Sequence, residues 1–386
     1  MKRAACIEDL RKIARRRIPK MFFDYVDGAS WTESTHISNN AELAKIRFRQ
    51  RVAVDVSNRT ARTSLLGEST RLPLAVAPTG LTGVIWPNGE IQAMKACETV
   101  GIPYCLSTVS IASLEKVANA ASKGFWFQLY VIRDRDFIER LIRRAEVAGV
   151  ETLVVTLDLQ MVGQRNKDIH NGLSSPPKPT LANILDVMRR PAWCYEMLHH
   201  RNMRFGNLEG HVMGLDSRKG LAEWTNQQFD PTLSWEDVKR LRDRWKGKLI
   251  LKGILSPEDA RIAADLGADA IVVSNHGGRQ LDGAPATIEV LPSIVRELND
   301  SCEIFIDGGF TSGQDVFRAI AYGAQGVMIG RAMLYGLGAG GQAGVEKALG
   351  MIINELETTM GLCGVTTISE IGPHNIYGTP TLGEVE

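Results

Sequence analysis

"IVVSNHGGRQLDGAP", residues 271–285, begins as an apolar run and ends in a Ser, an Asn, a His, two glycines and an Arg. An apolar run this short, bounded by polar residues, is typical of a strand buried on both faces of a parallel sheet. A His and an Arg that flank two glycines directly after such a strand are typical of a functional site. The stretch therefore predicts a strand and, at its carboxyl end, side chains that do chemistry.

Apolar runs of the same kind recur along the 386-residue chain, and helical patterns such as "EIQAMKACETVG" and "SPEDARIAADLGAD" lie between them. Eight strands alternating with helices predict an α/β fold, the (β/α)8 TIM barrel. The alternative is a doubly wound sheet, which is disfavoured because no GxGxxG follows the first strand. We interpret "GAGG" (338–341) as a loop. The eight runs are "LPLAVAP" (72–78), "PYCLST" (103–108), "FWFQLY" (125–130), "TLVVTLD" (152–158), "LILKG" (249–253), "AIVVSN" (270–275), "EIFIDGG" (303–309) and "GVMIGR" (326–331).

One interval interrupts this alternation, because about 90 residues between Asp158 and Leu249 contain no clear strand. Loops of this length are usually functional or mobile. We expect a single domain over 1–386, with a helical N-terminal segment, a barrel over about 72–345 and a mobile insertion over about 173–230. The insertion either packs over the barrel or touches a membrane surface, since residues 187–205 carry four Arg and one Glu among Trp, Met and Leu.

The composition is that of an ordinary globular protein, with 44% hydrophobic residues, 23% charged residues and a net charge of +1. This balance gives no sign of a nucleic-acid partner. Six cysteines occur without a CxxC pair or metal-type spacing, so we expect reduced thiols in the cytoplasm and no metal site. No apolar run approaches the roughly 18 residues of a membrane span. The basic N-terminus contains Glu8 and Asp9 and does not resemble a signal peptide.

Every predicted strand delivers a hydrogen-bonding group to its carboxyl end, the edge where barrel enzymes carry their chemistry. Singly, each group has an ordinary structural explanation, since a lone His is more often a hydrogen-bonded structural residue than a catalyst. Together they favour a site, because all eight strands contribute to the same rim. The residues are Thr79, Gly80, Ser107, Thr108, Gln128, Tyr130, Thr156, Asp158, Lys252, Ser274, His276, Arg279, Asp307, Gly308, Gly309, Gly330 and Arg331.

Two kinds of ligand group suit this rim. The glycines of "DGG" and "IGR" let backbone N–H groups approach phosphate oxygens, and Arg331 adds charge-assisted bonds. Ser107, Gln128, Thr156 and Lys252 suit the edge of a heteroaromatic ring with several carbonyls. Lys252 would also place a positive charge where a reduced ring becomes anionic. FMN matches both halves and is the predicted cofactor.

The remaining polar residues suit a small carboxylate substrate. Arg165, Arg279 and Tyr25 match a carboxylate, because a guanidinium binds it through two parallel hydrogen bonds. His276 could act as a general base, and Asp158 could orient its imidazole and stabilise the protonated form. The glycines after His276 would let Arg279 turn back over the same cavity, so that one loop supplies both base and carboxylate clamp.

The motif "SNHGGRQLDGAP", together with "APTG", "STVS", "FQLY", "DGG" and "IGR", closely resembles the FMN-dependent α-hydroxy acid dehydrogenase and oxidase family over about residues 7–364. The resemblance implies that His276 removes a proton during substrate oxidation with Asp158 as its partner. It assigns the substrate to Tyr25, Tyr130, Arg165, Arg279 and Val109, with Tyr130 facing the hydroxyl. It assigns FMN to Thr79, Gly80, Ser107, Gln128, Thr156, Lys252, Ser274, Asp307, Gly308, Gly309, Gly330 and Arg331.

The chain departs from the family pattern at two places. At two other positions its residues favour some activities of the family over others. Thr311 stands where the family often has an Arg, and "GASWTE" (28–33) replaces an acidic run. Val109 stands where glycolate oxidases carry a large aromatic, which leaves space for lactate or a bulkier acid. Gly80 stands where many oxidases have Ala, and in the family Gly goes with dehydrogenases that react poorly with oxygen.

The block "FDPTLSWEDVKRLRDRW" strongly resembles bacterial respiratory L-lactate enzymes. We therefore predict oxidation of an L-2-hydroxy acid, first of all L-lactate to pyruvate, with electrons passing from FMN to a quinone-type acceptor. An L-mandelate dehydrogenase and an oxygen-using oxidase are the alternatives; an isomerase of phosphorylated isoprenoids and a non-catalytic flavin barrel are disfavoured. The resemblance also implies a homotetramer and a cytoplasmic location, with contact at the cytoplasmic face of the inner membrane as the alternative location.

Overall fold

The computed structural model describes residues 1–173, 180–199, 205–208 and 229–378. The N-terminal segment is helical, as expected. In its first helix an apolar stripe of Ile7, Leu10 and Ala14 is buried, and Arg15 to Arg17 lie in the last turn, where positive charge complements the helix dipole. The three helices are α1 (Ile7–Arg17), α2 (Lys20–Asp27) and α3 (Ser34–Lys45).

Eight parallel strands of the described residues form one sheet, in the order β3-β10-β9-β8-β7-β6-β5-β4. A bridge between Val76 and Tyr104 joins the two edge strands, so the sheet closes into a barrel and confirms the predicted (β/α)8 fold. Seven of the predicted apolar runs each contain one of these strands, and the eighth run, 249–253, lies within β7. They are β3 (Leu74–Val76), β4 (Cys105–Ser107), β5 (Trp126–Tyr130), β6 (Thr152–Thr156), β7 (Lys248–Ile254), β8 (Ala270–Val273), β9 (Glu303–Ile306) and β10 (Gly326–Ile329), preceded by an antiparallel hairpin of β1 (Thr63–Leu65) and β2 (Glu68–Thr70).

Helices connect the strands and cover the outside of the barrel. Several begin at a predicted cap; Ser256, for example, accepts from Asp259 N at 3.1 Å, and Pro257 follows at the first helical position. The helices are α4 (Thr82–Ile85), α5 (Gly89–Val100), α6 (Leu114–Ala120), α7 (Arg135–Val147), α8 (Asn166–His170), α9 (Leu181–Met188), α10 (Pro191–His199), α11 (Trp235–Arg244), α12 (Pro257–Asp265), α13 (Thr287–Leu298), α14 (Gly313–Ala321) and α15 (Arg331–Cys363), with 3₁₀ turns at His276–Gly278, Ile368–Glu370 and Pro373–Asn375.

The interpretation of residues 338–341 as a loop is wrong, because they lie inside α15. The helix is interrupted rather than ended there, since Gly340 and Gly341 leave helical backbone angles. The glycines serve close packing: a Cβ on Gly338 would collide with Ile18, which follows α1. None of the helices in the described ranges combines the length and the apolar character needed to cross a bilayer.

The insertion between β6 and β7 contains α8 to α11. Its helical pair α9–α10 docks on the N-terminal part of the chain through Trp193, whose ring lies 5.5 Å from the Phe22 ring and whose Nε1 donates to Val84 O at 3.1 Å. A second anchor is Asn207, which is fully buried against the loop after β4. Residues 174–179, 200–204 and 209–228 of the predicted mobile insertion lie outside the described residues.

Side-chain alternation explains why the barrel has an apolar floor and a polar rim. Successive residues of a strand point to opposite faces, so every second residue points into the barrel. The first inward layer is a buried apolar cluster closed at its amino end by Leu65 and Leu66 from the β1–β2 turn. Two residues further along, six of the eight strands carry a polar side chain on the same face. The apolar layer contains Ala75, Cys105, Trp126, Val154, Ile250, Val272, Phe305 and Met328, and the next layer contains Ala77, Ser107, Gln128, Thr156, Lys252, Ser274, Asp307 and Gly330.

Candidate active site

His276 follows β8 in a left-handed backbone conformation, with φ of +56°. Such a conformation is costly for a residue with a side chain and is concentrated at functional sites. The backbone N–H of His276 donates to Ser274 Oγ at 3.1 Å, which helps to hold the turn. The turn brings His276 Nδ1 to 3.0 Å from Asp158 Oδ1 and 3.2 Å from Oδ2. The predicted His–Asp pair is therefore present.

The environment of Asp158 keeps its carboxyl group ionised. Burial favours the neutral form, but the interaction with His276, which includes a hydrogen bond, and the charge of Lys252 outweigh burial and lower the pKa of Asp158. Two residues that sequence reasoning missed hold it in place. Gln280 Nε2 donates to Asp158 O at 2.6 Å, and Gly253 leaves room, since a Cβ there would lie 2.7 Å from Asp158 Cβ. Gln280 lies within residues 271–285, and this position in the motif is the one feature of the sequence that pointed to it.

The predicted carboxylate-binding residues come together around Tyr25. The Arg279 Cζ atom lies 4.8 Å from the centre of the Tyr25 ring and the Arg165 Cζ atom lies 5.7 Å from it. Arg165 Nε donates to Asp168 Oδ2 at 2.6 Å, whereas Arg279 Nη1 donates to the carbonyls of Tyr25 and Gly28 at 2.7 and 3.1 Å. Burial and repulsion from Arg165 lower the pKa of Arg279 to about 10, so both guanidiniums are charged at neutral pH. Asp168 pairs with Arg165, and the two guanidiniums together keep a positive charge, so the cluster suits an anion.

Gly80 and Val109 lie beside this cluster. A Cβ on Gly80 would lie 2.7 Å from Val109 Cγ2 and 3.8 Å from Tyr25 Oη, so Gly80 packs against Val109 close to the Tyr25 hydroxyl. Burial and the charge of Asp158 raise the pKa of Tyr130, which therefore keeps its phenol proton. The Tyr130 ring packs edge-on against Phe229 at 5.7 Å, a contact that sequence reasoning missed.

A buried ion pair lies deeper in the barrel. Lys252 Nζ is 2.6 Å from Asp307 Oδ2, and the two side chains are only 4% and 9% exposed. Ser274 joins them, since its Oγ accepts from Lys252 Nζ at 2.6 Å and donates to Asp307 Oδ1 at 2.7 Å. Burial alone would lower the pKa of Lys252, but the carboxylates of Asp307 and Asp158 raise it. The structure therefore keeps a fixed ammonium charge inside the rim.

Two polar atoms of the rim lack a protein partner. Gln128 Nε2 and Thr156 Oγ1 are buried and have no hydrogen bond within the described part of the chain. The rest of Gln128 is fixed, because its Oε1 accepts from Ser107 Oγ at 3.1 Å and its backbone O from Thr108 Oγ1 at 2.6 Å. A buried unsatisfied polar group costs about 1–3 kcal/mol. The pair, next to the Lys252 ammonium, fits the polar edge of a flavin ring.

The ends of β9 and β10 offer backbone groups to a ligand. Gly308 and Gly309 have φ of +98° and +90°, a conformation that favours glycine. A Cβ on Gly309 would lie 3.0 Å from Asn39 Cβ, so the backbone there must stay bare. Gly330 faces Thr79, whose Cγ2 would lie 3.6 Å from an added Cβ. Exposed backbone at two adjacent strand ends is the arrangement that phosphate groups use in barrels of this kind.

Arg331, predicted to contact the phosphate, is fixed by the N-terminal segment. Its Nε donates to Val26 O at 3.1 Å, its Nη2 to Gly28 O at 2.8 Å and its Nη1 to Gly277 O at 2.9 Å. Three of its five N–H donors are thus used by backbone carbonyls. Burial lowers the pKa of Arg331.

The two places where the sequence departs from the family are both anchored. Thr311 N donates to Asp315 Oδ2 at 3.2 Å. The loop 28–33 and the start of α3 are fixed by Asp282, which accepts from Thr32 N at 2.8 Å, Ser34 Oγ at 2.7 Å and Thr35 N at 3.1 Å. Asp282 was not foreseen as a site residue, although it lies in the opening motif. It ties the loop of His276 and Arg279 to the N-terminal segment that carries Tyr25.

The rim of this TIM barrel brings together a His–Asp pair, a cation cluster that suits an anion, a buried ammonium and buried polar atoms without partners, as expected of a barrel enzyme that binds a cofactor. The profile of the family described as FMN-dependent dehydrogenase matches residues 14–378. The chain belongs to this family, and it is an oxidoreductase with FMN as its cofactor.

Similar proteins agree along nearly the whole chain. The chain is 44% identical to an L-lactate dehydrogenase of Caulobacter sp. strain K31, over 94% of this chain and 96% of the relative. It is 43% identical to an L-lactate dehydrogenase of Pseudomonas syringae, with coverages of 94% and 96%. Among solved structures, the monotopic membrane protein (S)-mandelate dehydrogenase is 35% identical with a TM-score of 0.91, covering 97% of this chain and 99% of that one.

Proposed function

We propose that this protein oxidises an L-2-hydroxy acid to the 2-oxo acid, with L-lactate as the first substrate, and that it passes the electrons to a quinone-type acceptor. The observation that carries the proposal is the position of the His276–Asp158 pair beside the Tyr25, Arg165 and Arg279 cluster. A base next to a carboxylate clamp suits a substrate whose reacting carbon is bonded to a carboxylate. The names of the lactate dehydrogenase relatives support the same substrate.

In this proposal the cation cluster binds the substrate carboxylate and orients the hydroxyl-bearing carbon toward His276. Because Nδ1 of His276 faces Asp158, Nε2 is the nitrogen that accepts the proton lost from the α-carbon or from the hydroxyl. The ionised Asp158 stabilises the resulting imidazolium. The phenol of Tyr130, which stays protonated, donates to the substrate oxygen. His276 suits either order of proton and electron removal, so the proposal covers both carbanion and hydride chemistry.

The residues proposed to hold FMN divide along the barrel. Gln128, Thr156 and Ser107 would serve the ring edge, with the backbone around Thr79 and Gly80 beside it. Lys252 would balance negative charge on the ring, and Ser274 and Asp307 fix the Lys252 ammonium. Backbone N–H groups at Gly308, Gly309 and Gly330, with the charge of Arg331, would serve the phosphate. When bound, FMN takes up the two electrons that the substrate loses.

The proposal is tested by the visible spectrum of the purified protein under anaerobic conditions, before and after adding L-lactate, D-lactate or L-mandelate. We expect rapid bleaching of the flavin band by L-lactate and none by D-lactate. Bleaching by L-mandelate alone would replace lactate with mandelate, an alternative supported by the small side chain of Val109 and by the mandelate dehydrogenase neighbour. A flavin band that no hydroxy acid bleaches would refute the proposal.

Readmitting air to the reduced protein separates a dehydrogenase from an oxidase. Gly80 supports a dehydrogenase, so we expect slow recolouring in air and rapid recolouring with a soluble quinone. Fast recolouring with production of hydrogen peroxide would identify an oxidase instead. We further propose that the chain acts as a single domain and assembles as a homotetramer in the cytoplasm, which light scattering and cell fractionation would test.

We also propose that α9 contacts the cytoplasmic face of the inner membrane. Four apolar residues on one side of α9 are exposed, with Leu181 at 81% and Met188 at 61%, while the pair α9–α10 is anchored behind by Trp193. Apolar surface on an anchored helix suits insertion at a membrane interface. The mandelate dehydrogenase neighbour is described as a monotopic membrane protein. The four residues are Leu181, Ile184, Leu185 and Met188.

Substitution tests this contact better than deletion, because removing residues 181–214 would also remove Trp193 and Asn207, which support the site loops. The triple variant L181Q, L185Q and M188Q should lose binding to lipid vesicles and keep its flavin and its activity. A control variant, V147Q and L362Q, changes two exposed apolar residues elsewhere and should bind vesicles as the parent does. Unchanged vesicle binding by the triple variant would refute the contact.

A further inference from the structure

Glu90, in the first turn of α5, is a buried acid that none of the proposed chemistry uses. Its side chain is inaccessible to solvent. One oxygen, Oε1, accepts from two backbone donors at once, Gly83 N at 3.0 Å and Ile111 N at 2.9 Å. The other oxygen, Oε2, has no partner among the described residues. Burying an acid costs free energy unless hydrogen bonds compensate for the lost water. The two hydrogen bonds that Glu90 makes are therefore the observations to explain.

The two donors belong to different loops, and both loops border the candidate substrate gap. Gly83 follows Gly80 in the segment after β3, and Ile111 follows Val109 in the segment after β4. The segments also touch directly, because Leu81 N donates to Val109 O at 3.2 Å. A Cβ on Gly83 would lie 2.6 Å from Ile111 Cβ, which shows how closely the backbones approach. Glu90 is thus the one side chain of the described residues that hydrogen-bonds both segments from behind.

We propose that Glu90 is a positioning residue that fixes the packing of Gly80 against Val109 and thereby sets the position of the Val109 side chain at the substrate gap. The inference rests on the proposed oxidation of a 2-hydroxy acid, since it assigns Val109 to the substrate side chain. It identifies which part of the substrate is affected: the group on the carbon that carries the hydroxyl, and not the carboxylate. Glu90 acts through the two loops and touches neither substrate nor cofactor.

The surroundings of Glu90 favour the uncharged form of its carboxyl group. Burial raises the pKa of Glu90, and the backbone donors, among them Ile111 and Gly83, offset only part of this effect. No cation is within salt-bridge distance of Glu90 in the described part of the chain. A neutral acid accepts at Oε1 while its second oxygen carries the proton, and glutamine has the same shape with an acceptor at the same place. A glutamine should therefore perform the same task, and a shorter or missing acid should not.

The test compares E90Q, E90D and E90A with the parent holoenzyme in steady-state and stopped-flow assays with L-lactate and L-mandelate. Loosening the gap removes contacts made equally in the ground state and the transition state, so KM should change and kcat should not. We expect E90A and E90D to raise KM for the preferred acid about tenfold, the effect of one lost well-placed contact, with kcat within about threefold. E90Q should retain the parent KM. The ratio of kcat/KM for the two acids should shift in E90A and E90D and stay constant in E90Q.

A matched control is E303A, because Glu303, although only half-buried, is also an acid that accepts from a backbone donor, Leu66 N at 2.9 Å, at the opposite end of the barrel. It should lower the unfolding midpoint without changing KM. A double-mutant cycle with V109A tests the route: the KM effects of E90D and V109A should be non-additive, since both change the same wall.

Several results would overturn the inference. A parent KM in E90D, strictly additive effects of E90D and V109A, or equal changes of KM in E90D and E303A would each contradict it. If E90A fails to fold, E90D, which keeps a buried acid, still decides the matter. Failure of the proposed function is seen separately, because no hydroxy acid would then bleach the flavin of the parent protein. If only the inference about Glu90 fails, the parent protein still oxidises its substrate.

Discussion

Replacing Asp158 by Asn tests the central electrostatic assumption of the site. The carboxylate lies 3.0 Å from His276 Nδ1, and a unit charge pair at that distance is worth about 5.5 kcal/mol at an effective dielectric constant of about 20. The His276 and Asp158 side chains are 20% and 14% exposed, so water weakens the attraction, and we take about half, ~2.7 kcal/mol. Since 1.36 kcal/mol is a factor of ten in rate, flavin reduction should slow about 100-fold in D158N.

The assay is anaerobic stopped-flow bleaching of the flavin band by saturating L-lactate. D158N should bind FMN normally, because Asp158 is not among the residues proposed to hold it, and the visible spectrum before substrate addition checks this. D243N is the control, since Asp243 pairs with Lys239 on the exposed face of α11, and it should react at the parent rate. A loss of less than threefold in D158N, with flavin fully bound, would refute the argument that Asp158 stabilises a charged imidazole.

Further predictions concern the cofactor site, the stability of the fold and the insertion. K252M should lower the free energy of unfolding of the apoprotein by about 3–5 kcal/mol in urea, because it strands a buried carboxylate, and D307N in the same chain should restore most of it without restoring flavin reduction. T156V should leave the apoprotein as stable as the parent, because it removes an unsatisfied hydroxyl, and should weaken FMN binding in a fluorescence titration by about tenfold. Burial and repulsion from Arg331 lower the pKa of His36 to about 4, below its usual 6.5. As the pH falls, the unfolded chain therefore binds the proton before the folded chain does, and the free energy of unfolding should decrease between about pH 6.5 and pH 4. The variant H36Q should show a smaller decrease in urea titrations. N207A should cost about 2 kcal/mol of unfolding free energy, because the Asn207 amide is fully buried, and a parent stability would show that the insertion does not support the loop after β4.

The barrel could be predicted because its signal is local and repeated. Each strand is a short apolar run bounded by polar residues, and eight of them alternate with helical patterns. The rim residues were predicted from the same repeat, because polar residues stand at the carboxyl ends of the apolar runs. Gln128 after Trp126 and Ser274 after Val272 are examples. In the structure, side-chain alternation along each strand places these two side chains on the inner face of the barrel.

Other parts of the site depend on contacts between residues far apart in the chain, which one sequence does not reveal. Asp282 fixes the loop that precedes α3 about 250 residues away, and Gly253 is needed because Asp158 packs over it. The "GAGG" segment was misinterpreted for the same reason. Four adjacent small residues are typical of a loop, and the close approach of distant residues explains why a helix keeps them: a Cβ would meet Ile18 at Gly338 and Trp86 at Gly341.

The positions of these missed residues suggest how the site divides its tasks. The side chains proposed for the flavin ring stand on the inner layer of the strands, where the barrel itself fixes them. The substrate gap is bordered instead by two loops, which the barrel does not fix, and each loop is held by a buried polar side chain from elsewhere. Glu90 joins both loops, and Asn207 holds the second one from the insertion, with Oδ1 accepting from Leu114 N at 2.7 Å and Nδ2 donating to Ser110 Oγ at 3.0 Å. Substrate choice can then change through Val109 and its supports, while the flavin-ring side chains on the strands stay in place.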